Sequence, residues 1–545
     1  MVSDDGFRVY GIDLGTTYSA IAYVDEIGKP AVCRNTDGVE TTPSVVFFEN
    51  ADNVVVGSVA KNSVVTHGDR VVSLIKRQMG TKATYDFDGK PYTPESISSL
   101  ILRQLAQDAI DLHGEPAKKA VITVPAYFGM LERDATRTAG VLAGLDVIGI
   151  VPEPVAAALH YEATTGATDK TILVYDLGGG TFDTTVISVS DNEIVVLCTD
   201  GDDHLGGADW DARLHRHLLD AFREHVPPDV DPEDDEEFLQ TLAKTAEDTK
   251  KQLSRVESRP VPLRGAGVSA RVEITRAEFE RLTEDLLAKT VDIVRRTLAT
   301  LEQKAPGSKI DEVLLVGGST RMPAVAARLR EEFGWDPKVH DPDLAVAKGA
   351  ALYALGRVVH REAEEKGVDA AVETIATKTG LSTQKLRTIA AKETRNVLPK
   401  AFGVRLVDTA DPDWERKPVR HYVEHLVHAN DSLPATGELG AATIYDGQNA
   451  VEIALYEQSG AVAGREMDEN KHLNDGAGTI EGLPPLPAGS PVEITMLVDN
   501  EGMLKVTATE VSTRKELVIK VRVSVLSTEE VEEAAKVVAG LTVSS

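Results

Sequence analysis

The chain has 545 residues, 42% hydrophobic and 27% charged, an ordinary globular balance with length for about two to four domains, each able to bury a core. Its 58 basic and 87 acidic residues leave a net charge of −29, which argues against nucleic acid or an anionic membrane as a partner. Two cysteines, Cys33 and Cys198, form no disulfide framework or metal spacing and imply buried thiols in a reducing compartment, the cytoplasm; residues 1–8 carry no signal peptide, and no apolar run reaches membrane-span length.

Residues 8–356 alternate β and helical runs, an α/β pattern. Strands are expected over 9–13, 44–48, 120–124, 172–176 and 313–316, and helices over 95–113, 133–143, 209–225, 238–254, 276–303 and 322–333. The Pro-rich, acidic run 227–237 reads as a solvated loop. Residues 357–393 read as a connector of short helices, with Leu386, Ile389 and Ala390 on one face. From about residue 394 the pattern turns β, with strands over 439–445, 451–456, 492–498, 504–509 and 517–525 and turns at Asp446-Gly447 and Glu501-Gly502, as in an antiparallel sandwich or barrel. Ser527-Thr528-Glu529-Glu530 is a capping box opening one short helix that stops near Gly540.

Two segments are versions of each other: Gly11-Ile12-Asp13-Leu14-Gly15-Thr16-Thr17 and Tyr175-Asp176-Leu177-Gly178-Gly179-Gly180-Thr181-Phe182-Asp183. Each is an apolar strand, Asp-Leu-Gly, a Gly/Thr turn and a second β-rich run. Facing one another, they would bring two carboxylates and two Gly/Thr turns onto one triphosphate and its metal. Gly lets backbone N–H groups approach phosphate oxygens, Thr adds donors, and Asp suits a Mg²⁺ that keeps most of its waters. A single such turn would be ordinary; the matched pair, with Val313-Leu314-Leu315-Val316-Gly317-Gly318-Ser319-Thr320-Arg321 as a third strand end to lie under a base or ribose, is not. No Walker run is present. His204 has no suitably spaced His or Cys and reads as structural, and Trp210 reads as packing.

The chain resembles the seventy-kilodalton heat-shock (DnaK-type) chaperones, strongly over 8–356 and moderately over 396–526. The motifs are GIDLGTTYS (11–19), VETTPSVVFF (39–48), IKRQMG (75–80), VITVPAYF (121–128), AGLDVIGIVPEPVAAAL (143–159), VYDLGGGTFD (174–183), HLGGADWD (204–211), LVGGSTRMP (315–323) and DPDLAVAKGAA (341–351). The resemblance implies an α/β actin-like ATPase of two ribonuclease-H-like lobes over 1–356, the helical connector 357–393, an antiparallel β-sandwich over 394–526 that holds peptides, and a short helix in 527–545 without the family's lid. It implies ATP/ADP and Mg²⁺ as ligands and leaves K⁺ open.

Residue by residue, the resemblance places Asp13, Glu153 and Asp176 around Mg²⁺, largely through water. Gly15, Thr16, Thr17 and Tyr18 match the first phosphate loop, and Gly178, Gly179, Gly180 and Thr181 the second, with Thr181 near the γ-phosphate. Lys76 matches the lysine that positions the attacking water; taken alone, beside Arg77, it would read as a solvated surface pair. Glu247, Lys250, Lys251 and Ser254 share one helix face that grips adenosine, Lys251 standing where the family usually has Arg, a weaker purine stacker. Gly317, Gly318, Ser319, Arg321 and Asp343 match the remaining adenosine contacts, and Pro125 and Arg133 a pair that relays nucleotide state. Peptide-cleft candidates are Val404, Leu406, Val407, Thr443, Ile444, Val451 and Ile453, which would equally serve as sandwich core.

The chain departs from the family in three places. Segment 357–393, leading to Val397-Leu398-Pro399, replaces the short acidic, Leu-rich linker; the lid is missing, so peptides should exchange quickly; and Gly149, Pro152 and Val155 stand where the family has Arg, Asn and Thr against its J-domain co-chaperone. A nucleotide-exchange factor stays open as a partner. Two functions follow: a lidless ATP-driven chaperone of extended apolar polypeptide segments, or an ATP-binding docking protein with little hydrolysis and one dedicated partner. Retained Lys76, Asp13, Asp176 and Thr181 favour the first. A sugar or acetate kinase on the same fold would leave the C-terminal β region unexplained.

Overall fold

The computed structural model describes residues 8–166, 168–409, 419–500, 502–521 and 525–545. Two mixed sheets near the N-terminal end share one wiring. In the first, Lys119–Val124 lies parallel to Val9–Asp13, which is antiparallel to Tyr18–Val24, itself antiparallel to Pro30–Val32. In the second, Glu312–Val316 lies parallel to Lys170–Leu177, followed by antiparallel Phe182–Val189 and Glu193–Asp202. The paired Asp-Leu-Gly segments are thus the first turns of two matching hairpins.

The inner strands are apolar on both faces because helices cover both. Tyr10 and Ile12 pack with Leu100, Ile101 and Leu105 of helix Pro94–His113. On the opposite face Gly11 lies against helix Ala345–Lys366, so close that a Cβ there would sit 2.1 Å from the Ala351 nitrogen. That helix meets Glu153–Thr165 just as tightly, since a Cβ on Gly349 would be 1.7 Å from the Ala156 carbonyl oxygen.

The expected elements are present with shifted ends. The 276–303 helix divides at Thr283, whose backbone leaves helical geometry (φ −120°, ψ 12°) while its hydroxyl donates to the Phe279 carbonyl, giving Arg276–Leu282 and Glu284–Lys304. The 44–48 strand begins only at Val46, because Ser44 turns inward: its hydroxyl donates to the Gly15 carbonyl at 2.8 Å and its N–H to that of Thr17. In the 227–237 run, Pro232–Asp234 forms a 3₁₀ turn and Asp235 caps helix Glu236–Leu253 through the Phe238 N–H.

Helix Ala345–Lys366 runs unbroken through residue 356, and Val368–Thr379 and Thr383–Ala390 follow. Val372, Ile375, Leu381 and Leu386 share a core with Val155, Val174 and Ile187, so this segment packs down on the second sheet. Glu393–Arg395 then pairs parallel with Glu193–Asp202 as an added edge strand, which helical patterning did not foreshadow.

Among the described residues the β region is a sandwich of two antiparallel four-stranded sheets. One is ordered His421–Val427, Phe402–Val407, Val451–Gln458, Asn470–Ile480; the other Ala435–Ala442, Pro491–Val498, Leu504–Glu510, Lys515–Val521. Val492, Ile494, Met496 and Val498 alternate inward, with Glu493 and Leu497 facing out. The 439–445 strand ends at Ala442, leaving Tyr445 in the following loop; residues 522–524 of the 517–525 strand, and Glu501 of the turn between Pro491–Val498 and Leu504–Glu510, lie outside the described residues. The capping box forms, with the Ser527 hydroxyl accepting from the Glu530 N–H at 3.2 Å and the Glu530 carboxylate from the Ser527 N–H at 2.7 Å. Beyond that helix, Thr542–Ser544 pairs parallel with Asn53–Val56. Among the described residues no helix is long and apolar enough to cross a membrane.

Candidate nucleotide and metal site

Asp13 closes strand Val9–Asp13, and Asp176 stands near the end of Lys170–Leu177. Glu153 opens helix Glu153–Thr165, and Lys76 lies in the 3₁₀ turn Ile75–Gln78. Lys76 is only 4% exposed and donates to Glu153 at 2.6 Å, so it is no surface lysine. Asp13 accepts from the Thr123 hydroxyl at 3.1 Å. A fourth carboxylate, missed in the sequence, joins them: Asp183 sits directly across from Asp176 in the hairpin and accepts the Tyr127 N–H at 3.0 Å. Its signal was present, as the Asp that closes the second motif.

Three buried carboxylates, Glu153, Asp176 and Asp183, and the half-buried Asp13 against one lysine leave excess negative charge. Burial, then Glu153, lift Asp13 to about 7 despite Lys76 and Thr123; burial and Glu153 lift Asp183 to about 8; and burial, Glu153, Asp183 and Asp13 raise Asp176 well above its ordinary value. A divalent cation relieves such an excess. Among the described residues these carboxylates are not gathered tightly enough to chelate a bare ion, which fits a Mg²⁺ held mainly through water with phosphate oxygens.

The two Gly/Thr turns meet. A Cβ on Gly179 would lie 2.3 Å from the Thr17 hydroxyl, and one on Gly180 2.3 Å from the Thr16 methyl. Gly178 and Gly179 accept the N–H groups of Gly207 and Ala208, and Thr181 is buried beside them. Arg77, read in the sequence as part of a surface pair, instead donates to the Gly180 carbonyl at 3.0 Å and to Asp209 at 2.6 Å.

The third strand end joins this cluster, since the Ser319 hydroxyl donates to the Gly178 carbonyl at 2.8 Å. Gly317 takes φ +83°, with a would-be Cβ 2.4 Å from the Leu177 oxygen, so only Gly fits. Arg321 pairs with Asp343 at 2.5 Å, and Gly318 lies against Asp343. Lys250 bonds the Gly207 carbonyl and Asp211, both at 2.8 Å, while the Ser254 hydroxyl returns to the Lys250 carbonyl. Glu247 accepts from Lys61 at 2.7 Å and Lys251 at 2.6 Å, and both ammonium groups sit 3.1 Å from the Tyr18 hydroxyl and about 5 Å from its ring. Burial pushes Glu247 up, but Lys61 and Lys251 win and hold it at about 2. Lys61, from helix Ser58–His67, carried no motif signal.

The relay pair is connected physically. Arg133 donates to the Phe128 and Ala126 carbonyls at 2.8 and 3.1 Å, and Phe128 N–H donates to the Pro125 carbonyl, fixing the turn that carries Tyr127. The β-sandwich sits on this turn. Glu457, buried, accepts the Met130 N–H at 3.1 Å; the Tyr127 hydroxyl donates to the Gly460 carbonyl at 3.0 Å; and Lys400 lies 5.3 Å from the Tyr127 ring centre. Elsewhere on that interface the Thr199 N–H donates to Asn430 at 2.7 Å and Lys471 to the Gly80 carbonyl at 3.1 Å.

Of the peptide-cleft candidates, Val404 and Ile453 are buried in the sandwich core, and Thr443 is buried with its hydroxyl donating to the Pro487 carbonyl and accepting the Ser490 N–H. Leu406, Val407, Ile444 and Val451 are half-buried, Leu406 and Val451 flanking the core. Pro152 and Val155 are buried, so neither offers a partner a side chain, and Gly149 has none. His204 is exposed and bonds Asp203; Trp210, Cys33 and Cys198 are buried.

The family model described as Hsp70 protein matches residues 9–87, 81–384 and 417–540. "Chaperone protein DnaK" of Thermosipho africanus is 35% identical over 516 residues, covering 93% of this chain and 79% of that protein. The protein of the same name from Thermotoga neapolitana is 36% identical over 517 residues, with the same coverage.

Proposed function

The chain belongs to the Hsp70 family of ATP-hydrolysing chaperones, and on that premise we propose that it is an ATP-driven chaperone whose two α/β sheets form the lobes of an actin-like ATPase coupled to the β-sandwich. ATP binds between the two Gly/Thr turns, its adenosine against Glu247, Lys250, Lys251, Ser254 and the Gly317-to-Arg321 strand end. Asp13, Glu153 and Asp176 would hold Mg²⁺ through water, and the ion would supply positive charge against the transferring phosphoryl group. Lys76 leaves Glu153 to orient the attacking water and stabilise developing charge, with Thr181 on the γ-phosphate. Extended apolar peptides engage the sandwich through backbone hydrogen bonds and the half-buried Leu406, Val407, Ile444 and Val451.

One observation carries the coupling. Asp183, opposite Asp176, holds the Tyr127 N–H, and the Tyr127 hydroxyl holds the Gly460 carbonyl of the sandwich. Two hydrogen bonds and one side chain span from the carboxylate cluster to the peptide domain. A dedicated docking protein with little hydrolysis would have no use for this connection beside an intact lysine and carboxylate set.

Single-turnover ATP hydrolysis, with and without excess extended apolar peptide, tests it. Turnover that Lys76→Ala abolishes and peptide accelerates is expected. ATP binding without Lys76-dependent turnover overturns the proposal in favour of an ATP-locked docking protein.

A further inference from the structure

Residues 527–545 lie outside the ATPase machinery, yet they are built into its core. Helix Thr528–Ala539 packs on Pro94–His113 and Met130–Leu142. Val538 and, beyond Gly540, Leu541 are fully buried in the cluster that contains Tyr10, Val54 and Leu105. The last carbonyls of a helix lack intrahelical partners. Here Arg103, from the middle of Pro94–His113, donates through both guanidinium arms, at 2.8 Å to the Val538 oxygen in the last turn and at 3.1 Å to the Leu541 oxygen just beyond the helix. The chain then enters the sheet of Val46–Phe48 and Asn53–Val56 as an extra parallel strand, with Thr542 opposite Asn53, Val543 opposite Val54 and Ser544 opposite Val55. The Thr542 N–H donates to the Asp52 carbonyl at 2.8 Å, and the Ser545 and Thr36 hydroxyls meet at 2.8 Å.

This attachment limits where the sandwich can go. Five residues, 522–526, separate strand Lys515–Val521 from Ser527, a reach of about 20 Å at full extension. At its other end the sandwich is tied through Glu393–Arg395, which is paired into the second sheet. The sandwich therefore enters from one α/β sheet and leaves to the helices of the other.

We propose that residues 527–545 are an intramolecular clasp, a helix and an added strand that stay seated on the first α/β unit in every nucleotide state and keep the end of the last sandwich strand within about 20 Å of Ser527. The sandwich of this chain then works by small displacements on the ATPase surface. The clasp needs neither turnover nor peptide, so it stands or falls separately from the chaperone cycle.

The test uses the full chain with Asn53→Cys and Thr542→Cys, register partners at the surface. The native Cys33 and Cys198 do not interfere, because both are buried and burial pushes their thiols to about 12. Disulfide formation is timed without nucleotide, with MgADP and with MgATP. Rates within twofold of one another, all within single chains, are expected. A rate tenfold or more slower in any state, or bonds that join two chains, overturns the proposal. In parallel, solution scattering compares the MgADP form of the unmodified chain with Leu541→Glu and with the milder Arg103→Ala, which keeps the apolar core. A larger radius of gyration in the variants is expected; unchanged dimensions in both overturn it.

Discussion

Glu457 is the point at which the sandwich and the ATPase turn can be separated by one atom. Its carboxylate is buried and accepts the Met130 N–H at 3.1 Å, with the Lys400 ammonium as the main charge opposing its burial. Replacing it by Ala leaves a buried N–H unsatisfied, costing about 1–3 kcal/mol, and removes one of the two carboxylates, with Glu132, that hold Lys400 charged. The docked arrangement should weaken by about 10- to 100-fold, abolishing peptide stimulation of ATP turnover while ATP binding persists. Gln keeps an acceptor of the same shape and separates geometry from charge. Burial raises Glu457 to about 6; Lys400 opposes the rise and Glu132 adds to it. Lys400 is held charged, because Glu132 and Glu457 outweigh its own burial, yet it returns less to Glu457 than burial takes away. The carboxylate is therefore the group that titrates. Since docking raises its pKa, docking is favoured by protonation: the contribution is full below about 4.5 and is lost as pH rises through about 6, a span worth about 2 kcal/mol. Wild-type docking, followed by proteolytic protection of the 125–130 turn between pH 4.5 and 7.5, should weaken across that window, and Glu457→Gln should lose the part of that dependence centred near 6, keeping only what Asp183, raised to about 8 beside the Tyr127 N–H, contributes at the upper end. Equal pH dependence in the wild type and Glu457→Gln would refute the assignment.

Lys61→Ala removes one of the two ammonium groups that join Glu247 to Tyr18, leaving Lys251. The pair is partly exposed, so a loss of about 0.5–1 kcal/mol should speed nucleotide release about two- to fivefold, read by stopped-flow with a fluorescent ATP analogue. Arg77→Ala takes the anchor from the Gly180 carbonyl and Asp209; nucleotide affinity measured by calorimetry should fall about tenfold, and Lys at that position should recover only part of it. Gly11→Ala forces a Cβ to 2.1 Å from the Ala351 backbone, so chemical denaturation should show a loss of more than about 3 kcal/mol or no folded protein, although the side chain is small and apolar.

What the sequence disclosed depended on whether an interaction is local. Asp13, Asp176, Gly178 to Thr181 and Gly317 to Ser319 sit at strand ends, where apolar run, carboxylate and Gly turn follow one another in the chain, so position and chemistry could be read together. Lys61 and Arg77 act by reaching between elements far apart in sequence, and nothing in their immediate neighbours distinguishes them from solvated cations. Asp183 lay in a quoted motif but faces Asp176 only through hairpin register, which composition does not reveal. The same limit hid both attachments of the sandwich. Glu393–Arg395 and Thr542–Ser544 are three-residue strands with no alternation of their own, stabilised by the edge they join. A short strand becomes legible only with its partner, and each of these two partners, Glu193–Asp202 and Asn53–Val56, belongs to a different α/β unit. The candidate nucleotide site is therefore written locally in this chain, whereas its link to the β-sandwich is written in pairings between distant segments, and on the proposed function perturbing those pairings should change coupling without touching a residue of that site.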